Sequence, residues 1–187
     1  VTYDSGDFAG VFNRALEISD HANFAKRKKE SKKNGKLRGI GFSAYIEACG
    51  IAPSAAIGSL GAGVGLWESA EVRVNPVGTV EVLTGSHSHG QGHETTFAQV
   101  VAARLGIAVE SVDIVHGDTG RVPFGMGTYG SRSGAVGMSA ISKALDKVSA
   151  KGKQVAAYAL EQSADDIELR EGRVAVVGTD KSLALGE

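Results

Sequence analysis

Three of the five histidines fall in one short run, Gly85-Ser86-His87-Ser88-His89-Gly90-Gln91-Gly92-His93-Glu94-Thr95-Thr96. Imidazoles this close together raise the question of a metal. A dinuclear hydrolase loop has the form H-x-H-x-D-H, but here Gln91 and Gly92 stand where Asp and His are needed. Only His21 and His116 remain to complete a ligand set. A protein-ligated metal is therefore the weaker reading, polar roles around a ligand are the stronger, and no metal-binding residue is assigned. The run also lies between the end of an alternating pattern and the start of a helical one. A helix N-terminus presents unpaired N–H groups and about half a positive charge. Gly90 and Gly92 let backbone come close to a ligand. This is the physics of an anion or phosphate site.

A second stretch has the same logic. Gly117-Asp118-Thr119-Gly120-Arg121-Val122-Pro123-Phe124-Gly125-Met126-Gly127-Thr128-Tyr129-Gly130-Ser131-Arg132-Ser133-Gly134 also runs from a strand pattern into a helical one. Its end offers the hydroxyls of Thr128, Tyr129, Ser131 and Ser133, the Arg132 guanidinium and closely approachable backbone, which suits phosphate oxygens. A loop this long is uncommon unless it is functional or disordered. Other candidates are weaker. Gly61-Ala62-Gly63-Val64-Gly65-Leu66 resembles G-x-G-x-x-G, but Leu66 takes the third glycine position and no βαβ pattern surrounds it. There is no G-x-x-x-x-G-K-[ST]. The single Cys49 reads as a buried filler rather than a nucleophile.

The elements that must position these loops follow from periodicity. Ser5-Gly6-Asp7 starts a helix with apolar residues at Phe8, Val11, Phe12, Ala15 and Leu16, running to about Ala25. A basic run follows: Lys26, Arg27, Lys28, Lys29, Lys32, Lys33, Lys36 and Arg38. It reads as a solvated helix end and linker, with contact to an acidic partner or anionic lipid as the sharper alternative. Arg38 to Ile46 reads as a buried strand and Gly50 to Gly65 as a loop. Glu68 to Asn75 and Thr79 to Thr84 form an antiparallel hairpin turning at Asn75-Pro76-Val77-Gly78, with Ala70, Val72, Val74, Val80 and Val82 inward. Glu94 to Leu105 is a helix with an apolar stripe at Phe97, Val100, Val101 and Leu105, ended by Gly106. Val112 to His116 is a short strand. Ser133 to Leu160 is helical, with a bend or break expected at Gly152. Ile167 to Val177 is a second hairpin turning at Glu171-Gly172. The fold class is α+β: a two-layer domain of antiparallel hairpins with helices packed on one face. Residues 1–38 form an N-terminal helix and basic linker, and 39–187 the α+β core.

Composition narrows the function. The 187 residues carry 20 basic and 21 acidic side chains, a balance that argues against a nucleic-acid binder. No run of ~18 apolar residues indicates a membrane span. One cysteine permits no internal disulfide and suggests a reducing compartment. The chain opens Val-Thr-Tyr-Asp without an initiator Met or leader pattern, which suggests a processed product or an excised segment. Glycine is the outlier, 26 residues against 3 prolines, clustered in 58–65, 85–92 and 117–137. The residues alone leave three classes open: a cofactor-binding segment of an enzyme, a stand-alone nucleotide or phosphate module, and a cofactor-free interaction domain.

Two strand–glycine loop–helix units about forty residues apart suggest two arms on one phosphate-bearing ligand. Gly90-Gln91-Gly92-His93-Glu94-Thr95-Thr96-Phe97-Ala98-Gln99 resembles the G-Q-G-H-E-T-T-x-x-Q segment of aerobic carbon monoxide dehydrogenase large subunits. Gly127-Thr128-Tyr129-Gly130-Ser131-Arg132-Ser133 resembles their G-T-Y-G-S-R-S segment. Tyr3-Asp4-Ser5-Gly6-Asp7, Gly39-Ile40-Gly41 and Cys49-Gly50 fit the same family, so the resemblance covers nearly the whole chain.

The resemblance implies a segment of the large subunit of a xanthine dehydrogenase-like molybdenum hydroxylase. It implies a molybdopterin cytosine dinucleotide with molybdenum, Gln91, Gly92 and His93 on the pterin and pyrophosphate, and Thr128, Tyr129, Ser131, Arg132 and Ser133 toward the pyrophosphate and nucleotide. The implied reaction hydroxylates carbon monoxide or a related small substrate with oxygen from water. Electrons then leave through [2Fe-2S] clusters on a small iron–sulfur subunit to FAD on a medium flavin-binding subunit. One cysteine could not ligate a cluster that needs four. The remaining expected partner is the rest of the large subunit. The implied location is cytoplasmic, with a peripheral seat at the inner membrane face as an option for the full complex. The family's glycine-rich motif with its catalytic glutamate is not recognisable here. The copper loop A-Y-x-C-S-F-R is also absent: Ala44-Tyr45-Ile46-Glu47-Ala48-Cys49 begins similarly but does not match, so Cys49 does not inherit that role. The segment alone is therefore expected to be inactive, and carbon monoxide is only the family label.

Overall fold

The structure is a computed structural model and describes residues 5–47, 49–51, 58, 61 and 66–187. The chain divides into two compact units, Val1–Ile46 and Glu47–Glu187.

In the first unit, α1 (Phe8–Ile18) is capped by Asp7, whose carboxylate accepts the Gly10 N–H at 2.8 Å. The single helix expected to reach Ala25 is in fact two. Asp20 adopts a left-handed conformation (φ 49°), a one-turn helix spans His21–Asn23, and α2 covers Phe24–Lys33. The break is held by Arg27, which donates to the carbonyls of Ser19 (2.7 Å) and Asp20 (2.8 Å) and pairs with the Asp20 carboxylate. Most of the basic run is thus helix rather than linker, with its side chains solvated. The buried strand expected over 38–46 is not formed: those residues are irregular and exposed. A strand needs a neighbour for its backbone groups, and among the described residues none pairs with it. Phe42 instead packs edge-on against Phe12 (ring centroids 5.7 Å) and His21 (5.3 Å). No described residue of this unit is buried.

The second unit holds two small sheets. In the first, β1 (Ala70–Val74) pairs antiparallel with β2 (Val80–Thr84), matching Val72 with Val82 and Arg73 with Glu81. Gly78 (φ 84°) closes the turn by donating to the Asn75 carbonyl at 2.8 Å. The hairpin's wet face carries Arg73 bonded to Glu71 (2.7 Å) and near Glu81 (3.7 Å). From β2 the chain passes through α3 (His93–Leu105) to β3 (Val112–Val115), which lies parallel to β2. The hairpin pattern does not reveal this pairing. A helix crossover is what a parallel neighbour requires, and its consequence is that β2 and β3 end side by side, with Leu83 opposite Val115.

After β3 and a long loop, one wide turn (Ser133–Gly137) leads into α4 (Met138–Ala159). The helix runs through Gly152 without the expected break. The main core is Val80, Val82, Phe97, Val101, Leu105, Ile141 and Leu145, where α3 and α4 cover the sheet. The second sheet is β4 (Ile167–Arg170), β5 (Arg173–Val176) and β6 (Ser182–Ala184), all antiparallel. Glu171 (φ 50°) and Gly172 (φ 70°) make the two-residue turn of the hairpin β4–β5. Ile167, Val174 and Val176 pack on Ala156 and Ala157 of α4. The architecture is the expected α+β class. The loop expected over 50–65, including the Gly61–Gly65 run, lies largely outside the described residues. Cys49 is exposed rather than buried: Gly50 packs inward, its N–H donating to the Ser131 carbonyl at 3.1 Å.

Candidate functional site

Because β2 and β3 are parallel neighbours, both glycine loops leave the same edge of the sheet. Crevices at the carboxyl ends of parallel strands are where open sheets bind ligands. The loops are also tied together directly. The His87 N–H donates to Thr128 Oγ1 at 3.0 Å, and the Gly127 N–H donates to the Gly85 carbonyl at 3.2 Å. Thr128 Oγ1 lies 2.7 Å from Ser133 Oγ. Gly85 and Gly125 cross so closely that a methyl group on either would fall well inside 3.0 Å of the other's Cα. Between the loops is a cleft of about 210 Å³, lined among others by Gly85, His87, Gly117, Asp118 and Gly127.

The first loop ends at Gly92, left-handed (φ 77°, ψ 35°), and no side chain caps α3 behind it. A methyl group at Gly90 or Gly92 would meet nothing within 4 Å, so the backbone there is open to an approaching group. Gln91 is exposed, and its Oε1 accepts the His89 N–H, bracing the turn. His93 is buried and stacks on Phe97 (4.9 Å between ring centroids). Its Nδ1 has no partner among the described residues. Burial pushes its pKa below the ordinary histidine value. Glu94 faces the second loop's strand: His116 Nε2 lies 2.9 Å from Oε1, and Ser88 Oγ donates to Oε2 at 3.1 Å. Bonds from its own backbone N–H, then from His116 and Ser88, hold its carboxyl at a pKa of about 2.

The second loop ends in a run of unusual backbone. Gly130 (φ 55°) and Ser131 (φ 49°) are left-handed and Arg132 is right-handed (φ −87°, ψ −22°). A change of hand between Ser131 and Arg132 brings successive backbone N–H groups toward one side, but the Arg132 N–H is spent inside the turn, donating to the Tyr129 carbonyl at 3.2 Å. Ser131 Oγ donates to Glu47 Oε1 at 2.6 Å, and Tyr129 is partly exposed. Ser133 is buried beside Thr128. The Arg132 guanidinium, expected at a phosphate, is instead turned inward and fully buried. Its planar fork is committed to Glu68 and to three backbone carbonyls. Glu68 escaped the sequence reading, since one carboxylate at a strand edge looks like any solvated charge. The Gly85–Gly125 crossing escaped it too. The histidines are grouped, His87 lying 5.1 Å from His89 and 5.3 Å from His116 between ring centroids. Among the described residues no three His, Cys, Asp or Glu side chains converge on a point that a metal could occupy.

The model of the molybdopterin cofactor-binding domain matches residues 14–187. The carbon monoxide dehydrogenase large chain of Hydrogenophaga pseudoflava is 38% identical over 182 residues, covering 95% of this chain and 22% of that protein. The 6-hydroxypseudooxynicotine dehydrogenase complex subunit gamma of Paenarthrobacter nicotinovorans is 38% identical over 185 residues, covering 99% and 22%. A crystal structure of the Cu,Mo-CO dehydrogenase in its carbon monoxide reduced state superposes with a TM-score of 0.69 at 37% identity, covering 98% of this chain and 24% of that one. The chain thus spans about a fifth of the length of the curated relatives it matches.

Proposed function

The chain belongs to the molybdopterin cofactor-binding domain family, and from that premise we propose that it holds the pterin and dinucleotide of a molybdenum hydroxylase large subunit of the aerobic carbon monoxide dehydrogenase type. The observation that carries this reading is the convergence of both glycine loops at one sheet edge, joined through His87–Thr128 and Gly85–Gly127. The donor set fits an anionic pterin dinucleotide. The uncapped N-terminus of α3 is a place for negatively charged oxygens. The unpartnered His93 Nδ1 supplies a buried polar atom for a neutral donor or acceptor.

In this reading Gln91, Gly92 and His93 hold the pterin and one end of the pyrophosphate. Thr128, Tyr129, Ser131 and Ser133 hold the other end and the cytosine nucleotide. When bound, the molybdenum centre supplies the two-electron redox chemistry. The chain's own residues bind and orient the group and keep water from it. The substrate is carbon monoxide or a related small molecule, oxidised with water as the oxygen source. Relatives named for carbon monoxide and for 6-hydroxypseudooxynicotine are each 38% identical to this chain, which supports a cofactor role shared across different substrates. Electrons leave through [2Fe-2S] clusters and FAD on a small and a medium partner subunit, in the cytoplasm or at the inner membrane face. Among the described residues no helix is long and apolar enough to cross a membrane.

The test is Gln91→Ala in the full-length subunit. Losing one ligand hydrogen bond, ~1–3 kcal/mol, lowers molybdenum content or turnover while the fold is spared. Unchanged molybdenum content together with unchanged turnover would reject that role.

A further inference from the structure

We propose that Glu68 is a positioning residue of the cofactor site, acting through Arg132 and not on the ligand itself; the inference rests on the reading of the two loops as a molybdopterin site. Both side chains of the pair are fully buried, with Arg132 Nη1 donating to Glu68 Oε2 at 2.7 Å. The same Nη1 donates to the Gly127 carbonyl at 2.8 Å. Nη2 donates to the carbonyls of Trp67 (2.8 Å) and Leu66 (3.1 Å). Glu68 Oε1 accepts the N–H groups of Ser69 (3.2 Å) and Met126 (3.4 Å). That oxygen also fills the space where a Gly85 side chain would lie. One carboxylate therefore touches the 66–69 segment, the first residue of the first loop and the end of the second.

The geometry gives this pair work beyond filling space. Arg132 ends the left-handed turn at Gly130 and Ser131, and its guanidinium ties the end of that turn to the Gly127 carbonyl and to the carbonyls of Leu66 and Trp67. Thr128, the residue that ties the two loops, follows directly on the carbonyl that Arg132 holds. Paired burial of charge is weak evidence for stability, because apolar residues of similar volume often replace such a pair at no loss. A pair that also fixes three carbonyls and two N–H groups around a binding loop is explained better by preorganisation of that loop.

The experiment compares wild type, Glu68→Gln, Glu68→Asp and Ile167→Val in the full-length subunit within its complex. Ile167 is buried in the second core, on β4, and serves as a control for simple loss of stability. The readouts are molybdenum per folded subunit, the rate of pterin release followed by fluorescence, and the thermal midpoint. Glu68→Gln is expected to release pterin roughly ten-fold faster, the order expected for one hydrogen bond to a charged group. Glu68→Asp falls between it and wild type, and Ile167→Val keeps its molybdenum. Should Glu68→Gln fail to accumulate, Glu68→Asp decides by the same readouts. Wild-type release rates in the folded Glu68 variants would overturn the proposal. So would an equal loss of molybdenum in Ile167→Val at a matched midpoint, which would make the role merely structural. A wild-type subunit without pterin or molybdenum would sink the reading of the loops and this inference together; a loaded wild type with equally loaded variants sinks only the inference.

Discussion

Gly85→Ala tests the loop crossing most directly. A methyl group there would sit 2.6 Å from the Phe124 carbonyl oxygen and well inside 3.0 Å of the Gly125 Cα and Glu68 Oε1. Two of the three obstacles are backbone, so no rotamer change relieves them. To restore the 3.4 Å at which ordinary contact begins, the Phe124 carbonyl must retreat by about 0.8 Å. That movement strains the bond from Ser69 Oγ to the Phe124 carbonyl, 2.7 Å, and the bond from the Gly127 N–H to the Gly85 carbonyl, 3.2 Å. Overpacking costs ~1–3 kcal/mol, and the two hydrogen bonds contribute about 1 kcal/mol each. The total, about 3–5 kcal/mol, is a large part of the 5–15 kcal/mol that holds a typical domain. In thermal denaturation the midpoint is expected to drop by roughly 6–20 °C, with cofactor content falling too, because the loops separate. Gly152→Ala, in α4 and outside both loops, is the control: a methyl group there meets nothing within 4 Å, so the midpoint is not lowered and loading is expected to stay as in wild type. Equal midpoints and equal loading for the two variants would refute the crossing as described.

Gly152 lies inside α4 with nothing within 4 Å of a methyl group, so Gly152→Ala is expected to stabilise by about 0.4–1 kcal/mol, read as a higher urea midpoint. Acid should weaken the fold in two steps of the same sign. His93 is held below its ordinary 6.5 by burial, so the unfolded chain takes up the proton first, and stability falls as pH drops from 6.5 toward the folded value. The Glu94 bonds contribute fully above 4.5 and are lost as pH falls toward about 2. A urea midpoint that rises on acidification through this range would contradict both assignments.

Local pattern determined a good part of this protein. The alternation of Ala70, Val72 and Val74 against Val80 and Val82, with Asn75-Pro76-Val77-Gly78 between, is enough for β1–β2, since register and turn lie within a few residues of each other. The Phe97, Val101, Leu105 stripe and Gly106 are enough for α3 and its end. Glu171-Gly172 is enough for β4–β5. The two glycine loops stand out in the sequence because glycine, hydroxyl residues and a helix start coincide there. Sequence also misled where a local pattern had no partner: residues 38–46 are apolar enough for a strand but pair with none among the described residues. Tertiary structure alone decided that β3 lies parallel to β2, which brings the two loops to one edge. It alone decided that Gly85 meets Gly125, and that Arg132 turns inward to Glu68 across 64 residues of chain. An arginine in a glycine loop has the same local signature whether its charge faces a phosphate or a buried carboxylate. The choice depends on the desolvation and pairing of a distant group, and that information exists only once the strands have brought the group there.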